Sequence, residues 1–395
     1  MASPTTGDQT RAPGPHRRFG RIVPGLGPGG DREVEDLAQL DRVLASGVPL
    51  AGLRFQGLDL TAAAPALLER EDLRGLVVLG GVLTPELDEH LRTRGAIIFP
   101  TDPAAPVRPY RGSLYTPEEL YDGLDQHGYA HTPDARAYAW AEDAALRHDA
   151  YVTVLRAIHD DAMADALAAV VAGRRVVGVM GGHALQRGTE AFTSAARVGH
   201  ALAGKGFLVA TGGGPGAMEA ANLGAWSTDE EVLESALAAV AEVPDFAPDI
   251  GPWALTALRA RRAGAREERS DPRTVRSIGI PTWHYGHEPP NVFGDLVAKF
   301  FSNALREDLL LHHSTAGLVV LPGAAGTVQE VFQMATRLYY EVDDPVPPLV
   351  LVGEEHWTGR LPVWPLLQAL AADRPMSAAI HLVDTTEAAA EVLTA

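Results

Sequence analysis

The residues best suited to chemistry in this 395-residue chain lie in two glycine-rich loops. The first, Thr211-Gly212-Gly213-Gly214-Pro215-Gly216, follows the apolar run FLVAT and precedes an alanine-rich, helix-like stretch. Glycines let a backbone approach a ligand closely, and a helix N-terminus offers unpaired N–H groups. Such glycine density exceeds the needs of a turn, so the loop is predicted to hold a phosphate; a tight turn without ligand is the alternative. Glu219, in the first helical turn, is interpreted as a partner of the helix dipole.

The second loop, Pro322-Gly323-Ala324-Ala325-Gly326-Thr327-Val328-Gln329-Glu330, has the same order of strand, small-residue turn and helix start. Thr327 can offer its hydroxyl to a phosphate beside the backbone N–H groups. Glu330 lies one helical turn later, close to the same helix face. A Thr followed by Glu three residues on is also a capping box, which is a purely structural device. A second phosphate-type loop in the same chain favours the functional interpretation.

Six apolar runs must position these loops. They are continuous rather than alternating, which is typical of strands buried on both faces, and helical stretches separate most of them. The pattern predicts an α/β fold: a doubly wound parallel sheet with helices on both faces. Ligands of such sheets bind at the C-terminal strand ends, where both loops lie. The runs are RVVGVM (175–180), FLVAT (207–211), RSIGIP (276–281), GLVVLP (317–322), PLVLVG (348–353) and IHLVD (380–384).

Two nucleotide motifs are excluded. GHALAGKG (199–206) fits part of the P-loop pattern, but Gly206 stands where Ser or Thr must bind magnesium, and the segment is helix-like. The loop after the first run of the predicted sheet lacks the dinucleotide pattern G-x-G-x-x-G, so no dinucleotide cofactor is predicted. The only lysines, Lys205 and Lys299, lie outside any plausible cofactor loop.

The chain divides into four predicted segments. Residues 1–16 are expected to be a disordered tail, and 17–103 a smaller α/β module of unknown role. In that module, 33–46 has helical spacing, and 75–81, PELDEHLRTRG and 96–100 form one β-α-β unit. Residues 104–173 are a linker and helical connector, the helical part from about Thr116 to Ala172. Residues 174–395 form the domain that carries both loops.

The net charge and the composition exclude several classes of binding partner and of chemistry. The net charge is −18 and the chain has no cysteine. An acidic surface repels phosphate backbones and anionic lipid, so neither nucleic acid nor a membrane is a predicted partner. Without cysteine, disulfides, thiolate nucleophiles and cysteine-ligated zinc are excluded. No apolar run reaches the roughly 18 residues of a membrane span, and no signal peptide is evident, so a cytoplasmic location is expected.

The loops GGGPGAMEAAN (212–222) and PGAAGTVQE (322–330), with Arg306 in SNALRED, resemble the LOG family. Its members are cytokinin-activating phosphoribohydrolases and nucleotide 5′-monophosphate nucleosidases, often mislabelled lysine decarboxylases. The resemblance covers roughly residues 174–385, with both motifs in the family's order. It implies a Rossmann-like sheet, a homodimer or higher homo-oligomer, and neither cofactor nor metal. The family pattern is PGGxGTxxE, and this chain has Ala324 at the second glycine.

The resemblance implies hydrolysis of the N-glycosidic bond of a nucleoside 5′-monophosphate, giving free base and ribose 5-phosphate. Glu330 would stabilise an oxocarbenium-like sugar and orient water, with Arg306 as its catalytic partner. A nucleotide-binding sensor without catalysis is the alternative, and transfer to another acceptor is a third reading. The phosphate would bind Gly323, Gly326 and Thr327, and the other side of the nucleotide would lie against Gly213, Gly214 and Gly216.

The segment Trp283-His284-Tyr285-Gly286-His287-Glu288 follows the strand-like run that ends at Pro281. Its rings can stack on a base or protonate it as it leaves, so His284, Tyr285 and His287 are candidate base contacts. A loop packed by its aromatic side chains, with the histidines in water, is an equal alternative. Two histidines three residues apart with a nearby Glu also suggest a metal. No third ligand is evident, so no metal is predicted.

Overall fold

The computed structural model of the protein describes residues 32–264, 274–286, 288–340 and 346–394. Two parallel sheets organise these residues, and each has its own hydrophobic core cluster. The smaller sheet lies within residues 33–99 and the larger within 176–383. The predicted tail, 1–16, lies outside the described residues, and the division of the chain into domains stays a prediction.

In the part of the chain that the structure describes, the N-terminal sheet has four strands in the order β1-β2-β3-β4. The predicted β-α-β unit is confirmed as β3, α3 and β4, while β1 and β2, of two and three residues, were not predicted. The helix predicted within 33–46 starts at Leu37, where the Asp36 carboxylate accepts from the backbone N–H of Gln39 and caps the helix. The strands are β1 (Glu33–Val34), β2 (Arg54–Gln56), β3 (Val77–Leu79) and β4 (Ile97–Phe99), and the helices are α1 (Leu37–Ser46), α2 (Ala64–Leu68) and α3 (Pro85–Thr93).

The predicted helical connector is a chain of separate helices. Capping side chains at Thr116, Thr132 and Asp149 each accept a hydrogen bond from the backbone and start a new helix. Pro117 and Pro133 occupy first helical positions, which suits their fixed φ. The helices are α4 (Pro117–Leu120), α5 (Leu124–His127), α6 (Pro133–Glu142) and α7 (Ala150–Val171), with a 3-10 turn at Tyr129–His131.

Among the described residues, the C-terminal sheet has seven strands in the order β11-β10-β9-β5-β6-β7-β8, all parallel. All six predicted strands are confirmed, and the seventh, β8, escaped prediction because it has two residues. The strands are β5 (Val176–Met180), β6 (Leu208–Thr211), β7 (Ser277–Gly279), β8 (Leu296–Val297), β9 (Gly317–Val320), β10 (Leu349–Val352) and β11 (Ile380–Val383).

The order in which successive strands join the sheet reverses at β5: β6, β7 and β8 follow on one side of it, and β9, β10 and β11 on the other. Strand β5 pairs with β6 on one side, Val177 opposite Val209, and with β9 on the other, Val177 opposite Gly317. The loops after β5, β6 and β9 therefore meet at one edge, as ligand-binding loops do in doubly wound sheets. The helices are α8 (Glu190–Gly204), α9 (Ala217–Trp226), α10 (Glu230–Val240), α11 (Ile250–Ala263), α12 (Asn303–His313), α13 (Ala325–Tyr340), α14 (Val363–Ala371) and α15 (Thr386–Thr394), with a π-helical turn at His356–Arg360 and a 3-10 turn at Pro375–Ala378.

Two excluded features have structural roles. Gly199 of the segment 199–206 lies inside α8, where a Cβ would collide with the Ala221 carbonyl of α9, so this glycine lets two helices pack closely. Lys299 is buried, and its ammonium donates to Asp134 of α6 at 2.5 Å. Burial lowers the pKa of Lys299. In the part of the chain that the structure describes, no helix is both long and apolar enough to span a membrane.

Candidate functional site

The first glycine-rich loop joins β6 to α9 in a conformation that favours glycine. Gly213 and Gly216 have φ of 70° and 72°, in the left-handed region. A Cβ on Gly213 would lie 2.9 Å from the Ile280 nitrogen, and one on Gly216 would lie 2.5 Å from the His183 carbonyl oxygen. Both positions therefore require glycine for conformation and for space.

A buried side-chain network fixes this loop from below. The Asn291 amide donates to the Gly214 carbonyl at 3.0 Å and to Asn222 Oδ1 at 2.9 Å. The Thr211 hydroxyl donates to the same Asn222 oxygen at 2.6 Å. All three side chains are buried, so the network restrains the conformation of the loop. Sequence reasoning missed Asn291, whose place in the chain carries no periodic signal.

The second loop forms the N-terminus of α13, which begins at Ala325. The Val328 amide donates to the Ala324 carbonyl at 3.0 Å, so Thr327 is the third residue of the helix rather than its cap. The capping-box interpretation of Thr327 and Glu330 is therefore wrong. Among described residues other than glycine, only Asp373 has positive φ, so Ala324 replaces the family glycine without backbone strain.

The residues expected to hold a phosphate surround this helix N-terminus. A Cβ on Gly323 would collide with the Thr327 side chain, whereas one on Gly326 would meet no atom within 4 Å. The His356 ring bonds through Nε2 to the Gly323 carbonyl at 3.1 Å and braces the loop. Backbone N–H groups at such a helix start are a ready anion site.

Arg306 and Glu330 form an ion pair between the two loops. Arg306 lies on α12 and Glu330 on α13, with Nη1 3.7 Å from Oε1 and side chains only 8% and 16% exposed. The same Nη1 would lie 3.5 Å from a Cβ on Gly212. Arg306 Nε is buried and lacks a hydrogen-bond partner among the described residues. The structure thus brings together both residues that the resemblance named as catalytic.

Burial raises the pKa of Glu330 to about 7. The Arg306 guanidinium lowers that pKa, while the negative charges of Glu307 and Glu288 raise it. A carboxyl group with such a pKa can exchange a proton near neutral pH, which suits a general base.

A second carboxylate faces the first loop from the 283–288 segment. Glu288 Oε1 lies 3.2 Å from His183 Nδ1, in the loop after β5. Its other oxygen, Oε2, would lie 3.5 Å from a Cβ on Gly214. Sequence reasoning named Glu288 only as a neighbour of a metal pair and did not single out His183. Their proximity depends on two loops about one hundred residues apart.

The three candidate base contacts are placed differently. His284 is exposed, and its ring meets the Tyr285 ring edge-on at 5.0 Å. The Tyr285 hydroxyl accepts from the Asn303 amide at 3.2 Å, and that amide also donates to Glu307 at 2.7 Å. His287 lies outside the described residues. Tyr285 is thus held near α12, and contact with a base stays a prediction for all three.

Glu219 has a structural partner that the sequence did not reveal. Its carboxylate accepts two hydrogen bonds from the Arg187 guanidinium, at 2.9 and 2.5 Å, and both side chains are buried. Arg187 also donates to the Val243 and Trp253 carbonyls. Glu219 is therefore held in a buried ion pair rather than acting only at the helix dipole.

A cavity of about 460 Å³ lies beside the first loop and the Arg187–Glu219 ion pair. Its volume falls in the range of small-molecule sites. Its lining combines loop residues Pro215 and Gly216 with His183 and the half-buried Phe246. Among the described residues, no group of three or more His, Asp or Glu side chains is arranged to hold a metal ion.

Comparisons with known proteins bear on this region. Residues 174–232 match the model of the SLOG cluster4 family, and residues 260–393 match that of the family described as "Possible lysine decarboxylase". The matched segments include both glycine-rich loops, Arg306 and Glu330. None of the curated proteins matches the chain.

Solved structures also show similarity. One is the molybdenum cofactor binding protein from the phototrophic bacterium Rippkaea orientalis, with 19% identity, a TM-score of 0.33, and coverage of 56% of this chain and 97% of that chain. Two others are structures of the molybdenum cofactor carrier protein from Chlamydomonas reinhardtii. Both have 18% identity and a TM-score of 0.32, and cover 56% of this chain and 98% and 99% of theirs.

Proposed function

Through residues 174–232 and 260–393 the chain belongs to the LOG, or lysine decarboxylase-like, family, and we propose that it is a nucleotide 5′-monophosphate nucleosidase. The proposed reaction is hydrolysis of the N-glycosidic bond of a nucleoside 5′-monophosphate, with ordinary or modified base. Its products are the free base and ribose 5-phosphate.

The observation that carries the proposal is the Arg306–Glu330 pair. A glycosidic bond of this kind breaks through a sugar with oxocarbenium character, which a nearby carboxylate stabilises. Glu330 has a pKa near 7, so in its ionised form it can also orient water and accept a proton from it. Arg306 reaches both Glu330 and the first loop, which suits a group that keeps Glu330 ionised while the substrate lies between the loops.

Phosphate binding at the start of α13 supplies the second part of the proposal. Gly323, Gly326 and Thr327 would hold the 5′-phosphate through N–H groups and a hydroxyl. Gly213, Gly214 and Gly216 would line the opposite side of the nucleotide. The rigid support of both loops favours binding without loop rearrangement, through the Asn222 network and through His356. A homodimer or higher homo-oligomer in the cytoplasm, binding neither nucleic acid nor membrane, completes the proposal.

The test is a panel of AMP, GMP, IMP, CMP and UMP incubated with the purified full chain and scored for free base and ribose 5-phosphate. We expect release from at least one nucleotide and a loss of about 1,000-fold in kcat in Glu330→Gln, the scale of general acid–base catalysis. Glu391→Gln, an exposed change on α15, is the matched control. Nucleotide binding by calorimetry without any base release would contradict the proposal and favour a sensor.

A further inference from the structure

Hydrolysis of an N-glycosidic bond needs a proton for the departing base as well as a carboxylate for the sugar. We propose that His183, oriented by Glu288, donates that proton to the leaving base. The inference rests on the proposed nucleosidase function and extends it to a residue outside both glycine-rich loops.

Three loops place this pair at the site. His183 follows β5, Gly214 follows β6, and Glu288 follows β7. Glu288 contacts His183 Nδ1 at 3.2 Å and would lie 3.5 Å from a Cβ on Gly214. Its charge also raises the pKa of Glu330. The pair and the Arg306–Glu330 pair therefore share the edge of the sheet where the substrate would bind.

The surroundings of His183 suit a proton donor. The contact with Glu288 uses Nδ1, so Nε2 lies on the ring edge away from the carboxylate and can carry the proton to be transferred. The side chain is 47% exposed and also lines the cavity of about 460 Å³ beside Gly216. The ring thus borders space large enough for a base, next to the loop that would line the nucleotide.

The step balances with water as the only co-reactant. As the C1′–N bond breaks, its electron pair moves to the base nitrogen, and the base takes a proton from His183 Nε2. The oxygen of water bonds to C1′, and Glu330 accepts the proton that this water loses. Proton return from Glu330 to His183 through solvent restores the enzyme. The other described ring candidates, His284 and Tyr285, do not line this cavity, whereas His183 does.

The experiment compares substrates that differ in their need for a proton. GMP requires protonation of its base, whereas 7-methyl-GMP and nicotinamide mononucleotide carry cationic bases that leave without it. His183→Asn keeps a short polar side chain near Glu288 but cannot transfer a proton. We expect its kcat to fall about 100-fold with GMP and less than about threefold with the cationic substrates. Glu330→Gln should be impaired with all of them.

The controls separate catalysis from structure. His148→Asn changes an exposed histidine of the connector and should retain full activity with every substrate. In His183→Gly, added imidazole should restore part of the GMP activity. Equal losses of His183→Asn on both kinds of substrate, or no rescue by imidazole, would overturn the proposal. If the unaltered protein cleaves no nucleotide, the nucleosidase function itself fails, which is a different result.

Discussion

The N-terminal and C-terminal sheets use the same backbone geometry for opposite purposes. At the C-terminal ends of β2 and β3, Gly57 and Gly80 both have φ of 66°, close to the values in the first glycine-rich loop. At this edge of the N-terminal sheet, Tyr110 occupies the space beside the two glycines. The Tyr110 carbonyl oxygen would lie 2.5 Å from a Cβ on Gly57, its ring would collide with one on Gly80, and its hydroxyl donates to Pro100 after β4.

At the corresponding edge of the C-terminal sheet, ionisable side chains rather than a tyrosine lie beside the glycine-rich loops. Arg306, Glu330, Glu288 and His183 all converge there from different elements. Left-handed glycines at strand ends therefore do not by themselves indicate a ligand. In this molecule the difference lies in whether a buried tyrosine or a group of ionisable side chains meets them.

We expect removal of the Arg306 charge to change activity strongly, because Arg306 sets the ionisation of Glu330. Glu330 must be ionised to accept a proton, so kcat of the unaltered protein should fall about tenfold per pH unit below pH 7. Arg306 lowers the pKa of Glu330, so Arg306→Gln should move this acid limb to higher pH and lower kcat about 100-fold at pH 7. The measurement is the pH profile of base release.

An unmoved acid limb in Arg306→Gln would contradict the role given to Glu330. The same outcome would weaken the contrast between the two sheet edges. The charge of Arg306 would then not control the ionisation of Glu330 at the edge of the C-terminal sheet. Arg197→Gln is a suitable control, since this arginine pairs with Glu234 at the surface and both side chains are about half exposed.

The sequence allowed much of the C-terminal sheet to be predicted, for identifiable reasons. Strands buried on both faces give continuous apolar runs, and glycine-rich turns mark where they end. Strands of two residues, such as β8, carry too little pattern to be found. The pairing of Arg306 with Glu330 came from a resemblance, since no periodicity links α12 to α13.

The remaining contacts of the site join distant parts of the chain. His183 meets Glu288, and Asn222 meets Asn291, only because neighbouring strands bring their following loops together. The capping-box interpretation failed for a local reason. Helix α13 begins at Ala325, two residues before Thr327, so the hydroxyl lies inside the first turn.

A smaller effect follows from exchanging glycine for alanine at each edge. Gly216→Ala would put a Cβ 2.5 Å from the carbonyl oxygens of Gly182 and His183, so the first loop must shift. We expect KM for the nucleotide to rise about tenfold, the loss of about 1.4 kcal/mol of binding. Gly80→Ala, which would collide with the Tyr110 ring, should lower stability and leave KM unchanged. Steady-state kinetics and thermal unfolding distinguish the two variants. Equal KM values for Gly216→Ala and Gly80→Ala would contradict the different roles given to the two sheet edges.

We expect Tyr110→Ala, which removes the aromatic ring from the edge of the N-terminal sheet, to change activity least. Tyr110 is 4% exposed, and truncation of a buried aromatic side chain costs about 3 kcal/mol. Amides of β2, β3 and β4 should therefore exchange faster with deuterium, while those of β5 and β6 keep their protection and kcat/KM changes less than about twofold.

Without the Tyr110 ring, the edge of the N-terminal sheet still has left-handed glycines but lacks the Arg306–Glu330 pair. Nucleotide should therefore bind with the same stoichiometry as before in calorimetry. A second nucleotide bound per chain would show that glycine geometry alone is enough to make such an edge a binding site.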